Sequence, residues 1–346
     1  MRFKDHLSKS LTLEPAPSPW PRMILSALSV LFPLLVGFAR NELPYAIFGS
    51  LFGFVLILND HFGPLRIRIL HLITAYIFIL IGYASGLMMQ DNLGILLVAL
   101  FCMSFLLAKS KGLGMELERM LLFTSLQMIA ASQTPELLNN YFIPLIYATF
   151  SLLNYLICLC LVFIILKHAP NFQKSKRAVF KEALKRENHR YALTLACMSC
   201  LGLLGAQYLH VERGYWVVGT IMIVMMPDQY QSLYRSFQRL IGTMIGVVIA
   251  SIIIKFGNYP VVLISFCTLC AFMAPLGLIR NYWLGNVFIA GLILFFLEMS
   301  NQTPHTGDFD LAIIRMTDIG MGCLLGALGT LIAFPEVWKK QRIKGE

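Results

Sequence analysis

Arg315 and Asp318 stand three residues apart in the apolar stretch IIRMTDIGMGCLLGALG, and that spacing puts them on one face of a helix. A charge near the centre of a bilayer costs about 2.5–3.5 kcal/mol on insertion scales, so one that is kept there is a candidate for function. Arg315 could hold an anion while Asp318 exchanges a proton; the other reading is an ion pair that only joins helices. Arg235 and Arg239 form a second constellation, with Gly242 and Gly246 continuing the same helix face. Arg235 reads as a loop charge at the end of a span. Arg239 begins an apolar run, and the small residues beyond it let another helix come close enough to hold it toward a bundle interior. Gly322 and Gly326 repeat that small-residue spacing and read as packing positions. Asp60 and Asp228 each end a short apolar run. They suit either proton coupling or a turn and N-cap role. Tyr215 and Trp216 could stack an aromatic ligand, or sit as interfacial aromatics with no ligand.

The elements that must position these residues are membrane helices. The chain has 346 residues, of which 58% are hydrophobic and 13% charged. Soluble domains carry about 25% charged residues. Apolar runs long enough to cross a bilayer recur along nearly the whole length. Twelve spans are expected, at about 22–40, 44–59, 69–89, 92–108, 117–132 and 141–166, then 190–209, 214–227, 238–255, 260–279, 282–299 and 311–334. Residues 1–166 form a first half, 167–189 a basic linker with a short amphipathic helix, and 190–346 a second half. Ser26–Val36 ends without a small-residue cleavage site, so the first span is expected to be retained. Pro33, Pro144 and Pro275 are expected to kink their helices.

The two halves share a frame. At an offset of 168, Asp60 and Asp228, Leu65 and Leu233, Leu72 and Leu240, and Ile77 and Ile245 coincide; at 170, Tyr45 and Tyr215 coincide. Corresponding short spans in two repeats point to a transporter's binding region. Arg315 and Asp318 match Tyr147 and Phe150 at the same offset, so the pair belongs to the second half alone. With an inside N-terminus, the loops holding Arg66, Arg68, Lys109, Lys111, Arg235 and Arg280 face the cytoplasm, with both termini. Six spans per half then give two parallel six-helix repeats in an all-α polytopic protein.

The net charge of +10 follows from that loop bias, and nucleic acid is not an expected partner. Cys197/Cys200 and Cys267/Cys270 have metal-site spacing but lie in apolar runs, where cysteine packs as a small residue. No metal, cofactor or catalytic constellation is expected, and no phosphate-binding loop points to ATP. Asn301-Gln302-Thr303 is a glycosylation sequon, which is without meaning in most bacteria.

Tyr215-Trp216, Pro227, Arg235, Arg239-Leu240-Ile241-Gly242-Thr243 and Gly246 resemble the hallmark of the fusaric acid resistance family. Arg315-Met316-Thr317-Asp318-Ile319-Gly320 is similar to that family's later Arg-x-x-Asp-Thr-x-x-Gly element, with Ile319 in place of Thr. The first half matches in outline only: Ala46 follows Tyr45, and Thr74 replaces the first glycine. The resemblance implies a bacterial inner-membrane exporter of aromatic carboxylic acids, driven by protons and working with a periplasmic adaptor, and it leaves a homo-oligomer open. Arg239, Arg315, Tyr215, Trp216 and Arg235 would then bind substrate, and Asp318, Asp228 or Asp60 would carry protons. A passive organic-anion channel is the alternative, and a membrane-embedded lipid enzyme a third. Larger family members carry a sizeable region between halves, which this chain replaces with the 167–189 linker.

Overall fold

The computed structural model describes residues 12–60, 63–133, 141–166, 188–211, 213–257, 259–300 and 310–334. The linker at 167–187, the sequon and the basic terminal residues lie outside them. Among the described residues every regular element is an α-helix. In chain order these are α1 Trp20–Arg40, α2 Leu43–Asn59, α3 Leu65–Met88, α4 Leu93–Ser110, α5 Met115–Ser132 and α6 Phe142–Leu166. They continue as α7 His189–Tyr208, α8 Tyr215–Val224, α9 Gln229–Phe256, α10 Pro260–Arg280, α11 Tyr282–Ser300 and α12 Asp310–Ala333.

Nine of the described helices are long and apolar enough to cross a membrane. The 17-residue α2 and the 10-residue α8 are shorter apolar helices, and α5 carries Glu116, Glu118 and Arg119 in its first turns. The helices start and stop for local reasons. Pro at the first or second position opens α1, α2 and α10, where its missing N–H is no loss. Asn92 caps α4 through its side chain, which accepts from the Ile95 N–H at 3.0 Å. Helix α8 stops at Val224, earlier than the apolar run does, because Pro227 disfavours helical backbone at the residue before it. Pro33 and Pro275 lie inside α1 and α10, whereas Pro144 falls in the first turn of α6, where it removes no helical hydrogen bond.

The chain folds as two compact units. The first comprises Met1–Ile77, Pro135–Gln173 and Gln238–Thr317; the second comprises Phe78–Thr134, Lys174–Phe237 and Asp318–Glu346. In the first, α1 packs on α2 and α6, α2 packs on α6, α10 packs on α11 and α1, and α11 reaches α2. In the second, α7 packs on α8, α4 on α5 and α7, and α5 on α8. Helix α12 joins the second unit through its glycines: a Cβ on Gly322 would sit 2.5 Å from Thr220 Cβ, and one on Gly326 2.5 Å from Val224 Cγ2. Each unit takes helices from both sides of residues 167–189.

Apolar residues line the outer faces. On α6 Ile146, Leu153, Ile157, Leu161 and Ile164 are exposed; on α9 Met244, Val248 and Ile252. Stripes of that length on several helices fit a surface solvated by lipid tails. With lipid outside, burial of apolar area supplies little drive for helix association, and close backbone packing takes its place. Gly242 and Gly246 show how close. A Cβ there would lie 2.3 Å from the Trp283 carbonyl oxygen and 2.2 Å from that of Val287, both on α11. Gly246→Val is therefore expected to cost about 1–3 kcal/mol through overpacking, read as a lower melting temperature in detergent; unchanged melting would mean that α9 and α11 stand further apart.

Candidate functional site

In the first unit, α9 and α11 bring together polar residues that the glycine contacts hold at short range. Arg239 is 7% exposed. Its Nη1 donates to the Tyr282 hydroxyl at 3.3 Å and to Asn286 Oδ1 at 3.4 Å. Its buried Nε has no hydrogen-bond partner among the described residues. Asn286 is fixed in turn, since its Nδ2 donates to the Tyr282 carbonyl at 2.8 Å. One residue earlier, Gln238 Nε2 donates to Asn281 Oδ1 at 2.7 Å, and Asn281 Nδ2 donates to the Thr12 carbonyl. The guanidinium is thus buried among neutral groups at long hydrogen-bond distances. A guanidinium can bind an oxyanion through two parallel N–H groups.

Arg315, also in the first unit, is buried at 3% exposure. Asp318 lies one turn further along α12, in the second unit, and is buried at 1%. Both charges therefore sit inside helical packing. The first-half counterpart of Arg315, Tyr147, donates to Glu42 Oε2 at 2.8 Å.

Asp60 has a different neighbourhood. It is the C-cap of α2, not the N-cap of α3. Arg68 donates to both carboxylate oxygens, through Nε to Oδ1 at 2.9 Å and through Nη2 to Oδ2. The Tyr155 hydroxyl from α6 donates to Oδ2 at 2.8 Å. Arg22 of α1 donates to the Asp60 and Ile57 carbonyls at 2.9 and 3.0 Å. The carboxylate ties the end of α2 to α3 and α6, and Arg22 adds α1 through main-chain carbonyls, which is the pattern of a structural ion pair.

Asp228 is exposed and its Oδ1 accepts from the Gln231 N–H at 2.8 Å, the bond of a helix N-cap ahead of α9. Ser232 adds to that turn, accepting from the Met226 N–H and donating to the Met226 carbonyl. Asp228→Ala is expected to cost about 1 kcal/mol of stability, read as a lower melting temperature in detergent; unchanged melting would mean that the cap carries no weight in the fold.

Tyr215 and Trp216 open α8 in the second unit, with ring centroids 5.3 Å apart and tilted by 42°. The Tyr215 N–H is held by Gln133 Oε1 at 3.0 Å. Arg235 is half-buried on the same unit's part of α9. Residues read from the sequence as loop charges turn out otherwise: Lys109 and Lys111, at the end of α4, are both buried. No group of three or more His, Cys, Asp or Glu that could hold a metal occurs among the described residues. Cys267 donates to the Leu292 carbonyl and Cys200 to that of Leu97, so both act as packing groups.

Sequence reasoning missed Tyr282, Asn286, Asn281 and Gln238. The signal was present: Asn281-Tyr282 interrupts two apolar runs, and Asn286 is polar within the second. Nothing in the sequence says that α11 faces Arg239.

Long apolar helices, lipid-facing stripes and buried charges define a multi-pass helical membrane protein. Residues 189–329 match the family described as fusaric acid resistance protein-like. The resemblance drawn from Tyr215–Gly246 and Arg315–Gly320 is shown over that region. Among curated proteins the chain is similar to the uncharacterized membrane protein YvaC of Bacillus subtilis (31% identity; 37% of this chain and 20% of that protein). It is similar to the inner membrane protein YccS of Escherichia coli (24%; 42% of this chain and 20% of that protein). It is also similar to the p-hydroxybenzoic acid efflux pump subunit AaeB of Salmonella arizonae (25%; 46% of this chain and 26% of that protein). The chain therefore spans about a fifth to a quarter of the length of these relatives. No solved structure matches.

Proposed function

We propose that the chain is an inner-membrane transporter that exports small organic acids, aromatic carboxylic acids among them, in exchange for protons. The observation that carries this reading is the Arg239 guanidinium, buried and held by two neutral partners at 3.3 and 3.4 Å. A buried cation needs an anion, and a carboxylate suits both its charge and its planar fork. The match of 189–329 to the fusaric acid resistance family, and the similarity to a p-hydroxybenzoic acid efflux subunit, support an aromatic acid as the substrate class.

In this reading Arg239 binds the substrate carboxylate with Tyr282 and Asn286 alongside, and Arg315 adds a second cation to the path. Asp318 exchanges the proton; its deep burial suits that role better than the exposed, capping Asp228 or the tied Asp60. The twelve helices form two parallel six-helix repeats, 1–166 and 190–346, with both termini cytoplasmic and 167–189 joining them. The matched pairings support the duplication: α1–α2, α4–α5, α4–α7 and α5–α8 have counterparts in α7–α8, α10–α11, α10–α1 and α11–α2. A periplasmic adaptor and a homo-oligomeric assembly complete the proposal.

The test is flux of p-hydroxybenzoate in proteoliposomes, with and without a pH gradient. Accumulation against its own gradient, lost in Asp318→Asn, supports proton-linked transport. Equilibration that ignores the pH gradient identifies a passive channel. Full activity in both Arg315→Ala and Asp318→Asn removes that pair from the mechanism.

A further inference from the structure

Helices α10 and α11 meet at a corner of one residue, Asn281. Its main chain serves both helices. The Asn281 N–H donates to the Gly277 carbonyl at 2.8 Å, and the Asn281 carbonyl accepts from the Gly285 N–H at 3.2 Å. The corner is tight, since a Cβ on Gly277 would lie 2.8 Å from Gly285 Cα. The side chain makes three further contacts. Oδ1 caps α11 by accepting from the Trp283 N–H at 3.3 Å, and it accepts from Gln238 Nε2 of α9 at 2.7 Å. Nδ2 donates to the Thr12 carbonyl at 2.8 Å.

The segment ahead of α1 aims this amide. A carbonyl can only accept, so the Thr12 contact holds Nδ2 there and turns Oδ1 toward Gln238 and Trp283. Two residues on, the Glu14 N–H donates to the Arg280 carbonyl at 2.9 Å and satisfies one of the last carbonyls of α10. Pro15, Pro17 and Pro19 stiffen the path from there to α1. Trp20, at the start of α1, packs on Phe272 of α10 with ring centroids 6.0 Å apart. Residues 12–19 thus brace the corner from which α11 starts.

We propose that Gln238 and Asn281 are positioning residues of the Arg239 site, setting the register of α9 on α11 so that Tyr282 and Asn286 stand beside the guanidinium when a carboxylate binds. This rests on the reading of Arg239 as the substrate site. The contacts advance together along the two helices. Gln238 meets Asn281, Arg239 meets Tyr282 and Asn286, Gly242 meets Trp283 and Asn286, and Gly246 meets Val287. Glycines let the helices come close, but van der Waals contact has no direction and does not by itself select one register. The contacts of Arg239, at 3.3 and 3.4 Å, are too long to select it. The Gln238–Asn281 bond is short and directional, and Gln238 is 3% exposed. It stands one residue before Arg239 on α9 and one before Tyr282 on α11, so a slip there moves the guanidinium against its partners. Small misplacements of a binding group cost large factors.

The test is the initial rate of p-hydroxybenzoate transport in proteoliposomes, followed against its concentration. Gln238→Met keeps the length of the side chain and loses the N–H. Asn281→Ser keeps an oxygen that can cap α11, but its hydroxyl is too short to span to Gln238 and Thr12. Each is expected to raise KM about tenfold, as for the loss of one hydrogen bond at the site, with the maximal rate and the melting temperature near wild type. The double variant is expected to match the single ones, because all three lack the same bond. Gln238→Met leaves the corner and its cap in place, so it carries the test even where Asn281→Ser folds poorly. Arg239→Ala is measured alongside. Unchanged KM in the folded variants, while Arg239→Ala loses transport, overturns the positioning role and leaves the substrate site standing. Effects that multiply in the double variant overturn it as well, since the two residues would then act separately. Normal transport by Arg239→Ala ends the site itself, and the positioning role with it.

Discussion

Arg239→Ala should reduce export of p-hydroxybenzoate by about tenfold to a hundredfold. Hydrogen bonds to a charged group are worth about 1.5–3 kcal/mol, and each 1.4 kcal/mol is a factor of ten. The loss should appear in binding as well as in flux, because the guanidinium would meet the carboxylate in the bound state. Arg239→Lys should recover only part of it, since an ammonium cannot present two parallel N–H groups. The Tyr282 and Asn286 contacts are long and neutral, so removing Arg239 leaves no buried charge behind, and the α9–α11 packing rests on Gly242 and Gly246 instead. Stability should therefore stay near wild type. Export within twofold of wild type in Arg239→Ala would sink the substrate site as drawn.

Asp60→Ala should act on the fold. Removing one partner of a buried ion pair leaves an uncompensated charge and costs about 3–5 kcal/mol. Here the survivors would be Arg68 and the Tyr155 hydroxyl, both aimed at the missing carboxylate. The expected readout is loss of monodisperse protein in size exclusion, or a large drop in melting temperature. Replacing both members, Asp60→Leu with Arg68→Met, should recover much of the stability, because a packed apolar pair avoids the desolvation cost. Normal folding of Asp60→Asn with abolished proton coupling would instead return Asp60 to the proton path.

Asp60 and Asp228 show how far equivalence in sequence carries. They coincide at the offset of 168, and each follows the shorter apolar helix, α2 or α8. Yet one is buried under Arg68 and Tyr155, and the other is an exposed N-cap. Their difference comes from neighbours on other helices, α3 and α6 for Asp60 and the local turn for Asp228. Lys111 carries the same lesson with the opposite sign. Counted along the chain it is one more loop cation, of the kind that sets orientation. Packed against α8 it is a buried donor to two carbonyls.

Hydropathy placed the helices close to where they lie, because a bilayer forces an apolar segment to satisfy its backbone bonds internally. Span lengths, proline starts and the early stop of α8 are consequences of residues adjacent in the chain. The coincidences at the offset of 168 and the family motifs are legible for the same reason. Tertiary structure alone decided which charges have company. It set Tyr282 and Asn286 beside Arg239, placed Tyr155 on Asp60, and interleaved helices from both sides of the linker within each unit. Those outcomes depend on how each helix is rotated and which one it meets, and in a membrane that is settled by close packing of small residues rather than by hydrophobicity, which is nearly uniform along this chain.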